Sequence, residues 1–496
     1  MKRLLILLAC ILWMNDHLQA DELPPLVHST IGTETTADDK SVSVKLVHKM
    51  QQFDWQDKAT LDTDIYSPKS VSIHPNGRKF YVNSLEGAAT VVYEMDTWRK
   101  LAVVSHRFDE RHAHLWAPPC GLFPFTHYSS EQRNLNKFYG KPVEGCFSHG
   151  GRYFWAPYYR RSYDINAQDP SAMAAIDTES DTIVRLFETG PLPKMVACSH
   201  DNRLVAVTLW GNNTVGTIDV SSHNPHDWHY TKVYVVDYQL KLDFSLTESV
   251  DRDNKSGYTL RGTVFTPDDR YLLVGCMAGS HGIAVIDLQR QQYLGRVLGM
   301  RGNVRHLIIS DGWLYLSSNA SGYVQRMRLD KFLETARHIG ANHTVQTQGQ
   351  WQECRVMAGT RTIEASPSGR YIFAACNRGS KLCVVDTRTM KLLLSADVDS
   401  YPVGLDVSRD GKTVIVTSQG RGRQGGNAVN VFRASYAQPE SAPVAKPSPV
   451  ATQIAPPAQP QKATVATASN QWVLWAALAA VVLLGIGLMI RQLIRR

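Results

Sequence analysis

Basic side chains recur at one position of a repeated pattern in this chain of 496 residues. The position lies shortly before a turn such as His74-Pro75-Asn76-Gly77-Arg78, and the copies of the pattern can be aligned on that turn. Five of the seven equivalent residues are Lys or Arg, and the full set is Lys69, Val143, Lys194, Arg261, Arg305, Arg361 and Val403. If the copies converge, five like charges repel one another and favour a bound anion or an acidic partner. The alternative is that each base reaches solvent or pairs with a nearby acid such as Glu144, Glu364 or Asp406.

A second candidate for ligand binding is an aromatic and basic stretch that contains Trp155, Tyr158, Arg160 and Arg161. Aromatic rings supply a stacking face and arginines supply planar donors, which suits a flat or sugar-like ligand. The stretch follows a long insertion, residues 105–140, which is too aromatic to be disordered. We expect this insertion to pack over one face of the fold as a lid.

The insertion also carries histidines, of which His112 and His114 are weak candidates for metal binding. No Asp or Glu is spaced as a clear third ligand, and neither a GxSxG nor an HExxH motif occurs. We therefore expect no metal and no cofactor, and we assign no catalytic residue. A Ser-His-Asp triad stays open, because its members need not be close in sequence.

The elements that must position these residues form a repeat of short strands and turns. One unit alternates apolar strands with polar turns from Ser67 onward, and similar units begin near Lys141, Pro191, Tyr258, Gly302, Gly359 and Tyr401. Seven such units predict an all-β, seven-bladed β-propeller over residues 21–436, in which ring closure removes exposed sheet edges. The last unit has three clear strands, and we expect the segment 41–47 to supply the fourth.

The motifs Phe80-Tyr81-Val82-Asn83 and Val384-Val385-Asp386-Thr387 resemble the YVTN-type β-propeller repeat family, including its periplasmic seven-bladed members. The resemblance covers nearly all of the repeat region and implies architecture more strongly than function. Related propellers include sugar-lactone hydrolases and a haem d1 domain, so the resemblance allows binding modules and enzymes. A haem-binding version needs an axial histidine in the channel, and we expect His306, one residue after the basic position, to point into its blade.

The two ends of the chain carry targeting signals. Residues 1–20 have the charge and apolar run of a secretory signal peptide, and residues 471–490 form an apolar stretch long enough to span a bilayer. A Pro/Ala-rich stalk, 437–470, precedes that stretch, and a basic tail, 491–496, follows it. The arginines of the tail favour the cytoplasmic side, which predicts a single-pass protein of a bacterial inner membrane with its propeller in the periplasm.

Net charge limits the class of partner. Lys and Arg outnumber Asp and Glu by eight over the whole chain, but by about three in the propeller region. This balance does not indicate a nucleic-acid-binding protein. The sequence favours a membrane-anchored binding or scaffolding module for an anionic small molecule, a glycan or a protein partner. The alternatives are a lactonase-type hydrolase and a haem-binding propeller.

Overall fold

The fold is a seven-bladed β-propeller, as the repeats predict, in a computed structural model of the chain. The structure describes residues 26–53, 58–123, 137–162, 164, 167, 169–241, 256–279, 281–347, 349–421 and 425–438. The predicted signal peptide, transmembrane segment, tail and nearly all of the stalk lie outside these residues. Within the described ranges, no helix is both long enough and apolar enough to cross a bilayer.

Three blades consist of four antiparallel strands in chain order. Blade one comprises Pro68–Ile73, Lys79–Ser84, Ala89–Glu94 and Lys100–Ser105. Blade three comprises Pro193–Cys198, Leu204–Leu209, Thr214–Asp219 and His229–Val235. Blade six comprises Thr360–Ala365, Tyr371–Cys376, Lys381–Asp386 and Lys391–Asp397. The first strand of each blade faces the central channel and is called its inner strand below.

Three other blades carry additions. Blade two comprises Cys146–Ser148, Tyr153–Arg161, Ser171–Asp177 and Thr182–Thr189, with Arg107–Phe108 and Phe138–Pro142 added beside its second strand. Blade four comprises Leu260–Phe265, Tyr271–Cys276, Ile283–Asp287 and Gln292–Leu298, with a parallel edge strand, Thr344–Gln346. Blade five comprises Val304–Ser310, Trp313–Ser318, Tyr323–Arg328 and Gln352–Arg355, with helix α1, Leu329–Ala336, before its last strand. Short 3-10 turns occupy Lys58–Thr60, Glu110–Leu115, His149–Gly151 and Pro225–Asp227.

Blade seven joins the two ends of the propeller. It comprises Pro402–Val407, Thr413–Ser418, Ala428–Tyr436, Val42–Gln51 and Glu34–Thr36, in that spatial order. The N-terminal strand therefore pairs with the last strand of the chain, and it contains the segment 41–47 except for its first residue. This pairing leaves no gap in the ring of blades.

Apolar side chains fill the spaces between adjacent blades. Between blades seven and one, for example, Val71, Phe80 and Val91 pack with Ile415 and Val431, and all five are at most 5% exposed. The middle strands of a blade are covered on both faces, so their residues are buried without strict alternation. The core thereby fixes the inner strands against one another around the channel.

The propeller has two faces, defined by the direction of the inner strands. The entry face is the one at which inner strands begin, as at Pro402, and the exit face is the one at which they end, as at Val407. Pro402, at the start of the inner strand, pairs with Ser418, which pairs in turn with Ala428, so the last strand begins at the entry face. Arg433, further along the last strand, pairs with Thr413, which lies next to the end of the inner strand. The chain therefore leaves the propeller on the exit face.

Candidate functional site

A β-bulge marks the predicted basic position in six inner strands. The pairing register skips Lys69, Lys194, Arg305 and Val403, each between two paired neighbours. In blades four and six it skips Arg261 with Gly262 and Arg361 with Thr362. A bulge frees one residue from the ladder and redirects its side chain. The repeat thus sets equivalent side chains at the entry end of the channel.

Close packing of the inner strands accompanies the bulges. A Cβ atom at Gly262 would lie 2.9 Å from the backbone nitrogen of Leu307 in the next blade. Glycine is therefore required there by space, because any larger residue would push two blades apart.

Four of the five predicted bases surround one carboxylate. We call Lys69, Arg261, Arg305 and Arg361 the basic cluster. Arg261 forms an ion pair with Glu144, which precedes the inner strand of blade two, where the ring position itself is Val143. Burial acts to raise the pKa of Glu144, but the positive charges of the basic cluster outweigh this effect and lower the pKa to about 2.

The cations of the basic cluster are poorly exposed to solvent. Arg261 is 4% exposed and Arg305 is 9% exposed, while Lys69 and Arg361 are half-buried. Burial and the neighbouring positive charges lower the pKa of Arg361 to about 9, and they lower the pKa values of Lys69 and Arg305 as well. Arg305 contacts the sulfur of Met277 at 3.4 Å, and Lys69 contacts Gln419 at 3.3 Å. The cluster carries more positive charge than Glu144 offsets.

Lys194, the fifth base, has an aromatic environment. Its Nζ lies 3.5 Å from the ring centroid of Tyr159 and 4.5 Å from that of Trp210. The guanidinium of Arg160 lies 5.0 Å from the Tyr159 ring. Cation–π contacts of this kind stabilise a desolvated charge. Tyr159 lies within the predicted aromatic and basic stretch, whereas the sequence analysis does not single out Trp210, whose signal is its position directly after the strand Leu204–Leu209.

Three predicted stacking residues lie in the core and offer no surface to a ligand. Trp155 is fully buried against Phe187 and Trp228, and its indole donates to Ser148 at 2.9 Å. Tyr158 is also fully buried, with its hydroxyl 2.9 Å from Nδ1 of His106. Within the predicted stretch, the half-buried residues are Tyr159 and Arg160.

Arg161, the third of these residues, is 1% exposed. Its guanidinium donates to the carbonyl of Ser171 at 2.7 Å and lies 5.0 Å and 4.8 Å from the rings of Trp116 and Phe138. These two aromatic residues belong to the insertion, so Arg161 holds the insertion against blade two.

The described part of the insertion lies along the outer side of the propeller. Ala117 donates its backbone N–H to Leu186 in the outermost strand of blade two, and Phe123 packs on Tyr230 in the outermost strand of blade three. These contacts differ from a lid over the channel, because the apolar residues of the insertion cover the blade edges. Residues 124–136 lie outside the described residues.

The two candidate metal ligands of the insertion make local hydrogen bonds. Nδ1 of His112 lies 3.0 Å from Asp109, and Nδ1 of His114 lies 2.9 Å from the carbonyl of Arg111. No group of three or more possible metal ligands occurs in the part of the chain that the structure describes.

Below the basic cluster, towards the exit face, the channel contains a cavity of about 370 Å³. Glu144, His306, Glu364 and Asp406 line it, with hydroxyl and apolar side chains between them. The expectation that His306 points into its blade is wrong, because the bulge at Arg305 shifts the alternation of the strand. Burial lowers the pKa of His306 to about 4, which makes it a neutral imidazole.

Comparison with known proteins supports the fold. No family model matches the chain, and no curated protein matches its sequence. Hydrazine synthase from Kuenenia stuttgartiensis is similar in structure, with a TM-score of 0.51, 11% identity, and coverage of 77% of this chain and 99% of that one. The β-propeller domain of Cps50 (Swd1) from Myceliophteria thermophila has a TM-score of 0.51, 10% identity, and coverage of 74% and 96%. At these identities the similarity shows the fold alone.

Proposed function

We propose that this protein is an anion-binding propeller whose basic cluster holds the negative charge of its ligand. The observation that carries the proposal is the convergence of Lys69, Arg261, Arg305 and Arg361 on a single carboxylate, that of Glu144. Export and anchoring are inferred from the sequence signals, which support a propeller on the periplasmic side of a bacterial inner membrane.

Charge balance is the physical argument. Buried like charges within one cluster repel each other strongly, because little water screens them. Arg261 has a carboxylate partner, whereas Arg305 and Arg361 form no ion pair with any described residue. A phosphate or carboxylate group would offset the remaining charge and accept hydrogen bonds from guanidinium groups in a planar arrangement. Binding energy would therefore come from relief of repulsion as well as from new contacts.

The aromatic environment of Lys194 favours a ligand with a flat or sugar-like part. Lys194 is the second residue of the inner strand of blade three, near the entry face, and Trp210 directly follows the next strand at the same face. Tyr159 and Trp210 are half-buried and present aromatic rings near a positive charge. Such rings pack well on sugar faces and planar groups. Anionic sugars are accordingly the first ligands to test, and an acidic protein segment is the second.

The test is binding of small anions to the purified full chain. We expect glucuronate, citrate or inorganic phosphate to raise the melting temperature, and neutral glucose to leave it unchanged. Arg305→Gln and Arg361→Gln should each weaken anion binding at least tenfold, since each removes a charge-assisted hydrogen bond. Arg409→Gln, at an exposed position of blade seven, is the matched control. Equal anion binding by both cluster variants and the control would refute the proposal.

A further inference from the structure

We infer that the cavity in the exit half of the channel binds a small organic cation through Glu364 and Asp406. The two carboxylates belong to the inner strands of neighbouring blades, six and seven, and both line the cavity. This site is separate from the basic cluster and rests on different residues, so it does not depend on the proposed anion site.

The described contacts of the two carboxylates are hydrogen bonds from backbone N–H groups, and none is with a positively charged side chain. Asp406 accepts hydrogen bonds from the backbone N–H groups of Ile73 at 2.6 Å and Val407 at 2.8 Å. Glu364 accepts one from Ala365 at 3.1 Å. Neither residue forms an ion pair with a described Lys, Arg or His. The backbone bonds orient Asp406, while the charge of the pair is directed at the cavity.

Electrostatics agrees with this geometry. Burial, together with the charge of Asp406, raises the pKa of Glu364 to about 8, and burial raises the pKa of Asp406 to about 6. The two groups therefore hold about one proton between them near neutral pH. A cation seated between them would supply the missing positive charge and displace that proton.

The other lining groups narrow the chemical class of the ligand. Besides the pair, the titratable groups that face the cavity are Glu144, His306, Cys146 and Cys198. Glu144 is paired with Arg261, and His306 is neutral, so neither competes with the pair as a charge.

Among the described residues, the two carboxylates are not part of a group of three or more possible metal ligands, which suits an ammonium group better than a metal ion, because metals take more donor atoms. A cavity of about 370 Å³ with apolar walls at Phe147, Leu307 and Leu405 accommodates a small carbon chain beside the charge. The ligand class is therefore a small aliphatic amine.

The experiment is calorimetric titration of the full chain at pH 7.5 with butylamine and 1,4-diaminobutane. Butanol is the neutral control, and calcium chloride tests for a metal site. We expect amine binding with release of up to about one proton, seen as a dependence of the heat on the ionisation enthalpy of the buffer. Glu364→Gln and Asp406→Asn should each weaken amine binding at least tenfold. Asp96→Asn, at an exposed position, is the control substitution.

The outcomes separate this site from the anion site. Arg305→Gln should not weaken amine binding, because Arg305 does not line the cavity and the loss of its positive charge cannot disfavour a bound cation. Equal binding of butanol, binding of calcium in place of amines, absence of amine binding, or unchanged affinity in both Glu364→Gln and Asp406→Asn would overturn the inference. Melting curves of each variant show whether it is folded, so loss of binding can be assigned to the site.

Discussion

The carboxylate of Glu144 contacts the guanidinium of Arg261 across the channel opening, although the two residues come from blades two and four. This pair places a negative charge inside the basic cluster. It offsets part of the repulsion among the four neighbouring cations, because each of them is attracted to the same group.

Glu144→Gln should destabilise the protein by about 3–5 kcal/mol, since Arg261 would remain buried without its partner. Anions should then raise the melting temperature more in the variant than in the original chain, because they replace the lost charge. Denaturant unfolding with and without phosphate measures both effects. An unchanged stability would mean that the pair contributes nothing.

Acid should remove the same contribution. The pKa of Glu144 in the folded chain, about 2, is lower than that of an unfolded glutamate, near 4.3. The stabilisation is therefore complete above about pH 5 and is lost as the pH falls towards 2. The difference in unfolding free energy between the original chain and Glu144→Gln should shrink over this interval, and a constant difference would contradict the assignment.

Arg305→Gln should stabilise the ligand-free protein by about 1 kcal/mol, because it removes one of the crowded positive charges. The same substitution should reduce the stabilisation that anions produce. Melting temperatures with and without citrate measure the two opposite changes. If the variant is less stable than the original chain without anion, the packing contacts of the Arg305 side chain stabilise the protein more than its charge destabilises it.

The sequence repeats predict the fold, but they predict only part of the candidate site. Spacing of turns predicts seven blades, and the position of the N-terminal strand beside the last one agrees with the missing fourth strand. The bulges that redirect Lys69 and Arg361 have no sequence signal, because they depend on how neighbouring inner strands fit together. The sequence predicts Trp155 and Tyr158 as ligand contacts, whereas both are buried, because alternation does not mark a solvent face in a strand that has blades on both sides.

Lys49→Met should destabilise the closure of the ring by about 3–5 kcal/mol. Lys49 is buried in the N-terminal strand, and its Nζ lies 3.0 Å from the carboxylate of Asp399, which is also buried. Removal of the lysine leaves that carboxylate without its partner. Hydrogen exchange of residues 42–51 should accelerate, and exposed Lys45→Met is the control on the same strand. Equal exchange in both variants would reject this role for the pair.

The stability of the original chain should decrease as the pH rises from about 5 to 8, in the absence of amines. Glu364 has a higher pKa in the folded chain, about 8, than in an unfolded one. Its contribution is therefore complete below about pH 4 and is lost as the pH rises through 8. Glu364→Gln should flatten this dependence, as urea unfolding at several pH values would show. A slope that persists in the variant would assign it to other groups.

Trp155→Phe should cost about 2 kcal/mol of stability and leave anion affinity unchanged. The substitution removes the hydrogen bond to Ser148 and creates a small space in a core contact with Trp228. Denaturation and calorimetric titration with glucuronate measure the two properties. Weaker binding with unchanged stability would instead return Trp155 to the ligand site.

The union of the N-terminal strand with the last strand has a consequence for biogenesis. During synthesis, Val42–Gln51 is made before blade one, while its partner, Ala428–Tyr436, is made after the other six blades. Until then Glu34–Thr36 can pair with one edge of Val42–Gln51, but the other edge has no partner, so an incomplete chain exposes a strand edge that favours aggregation or chaperone binding. A chain that terminates before Ala428 is therefore expected to form an open, protease-sensitive ring. Proteases and chaperones can then distinguish complete from incomplete molecules by the pairing of the N-terminal strand with the last strand.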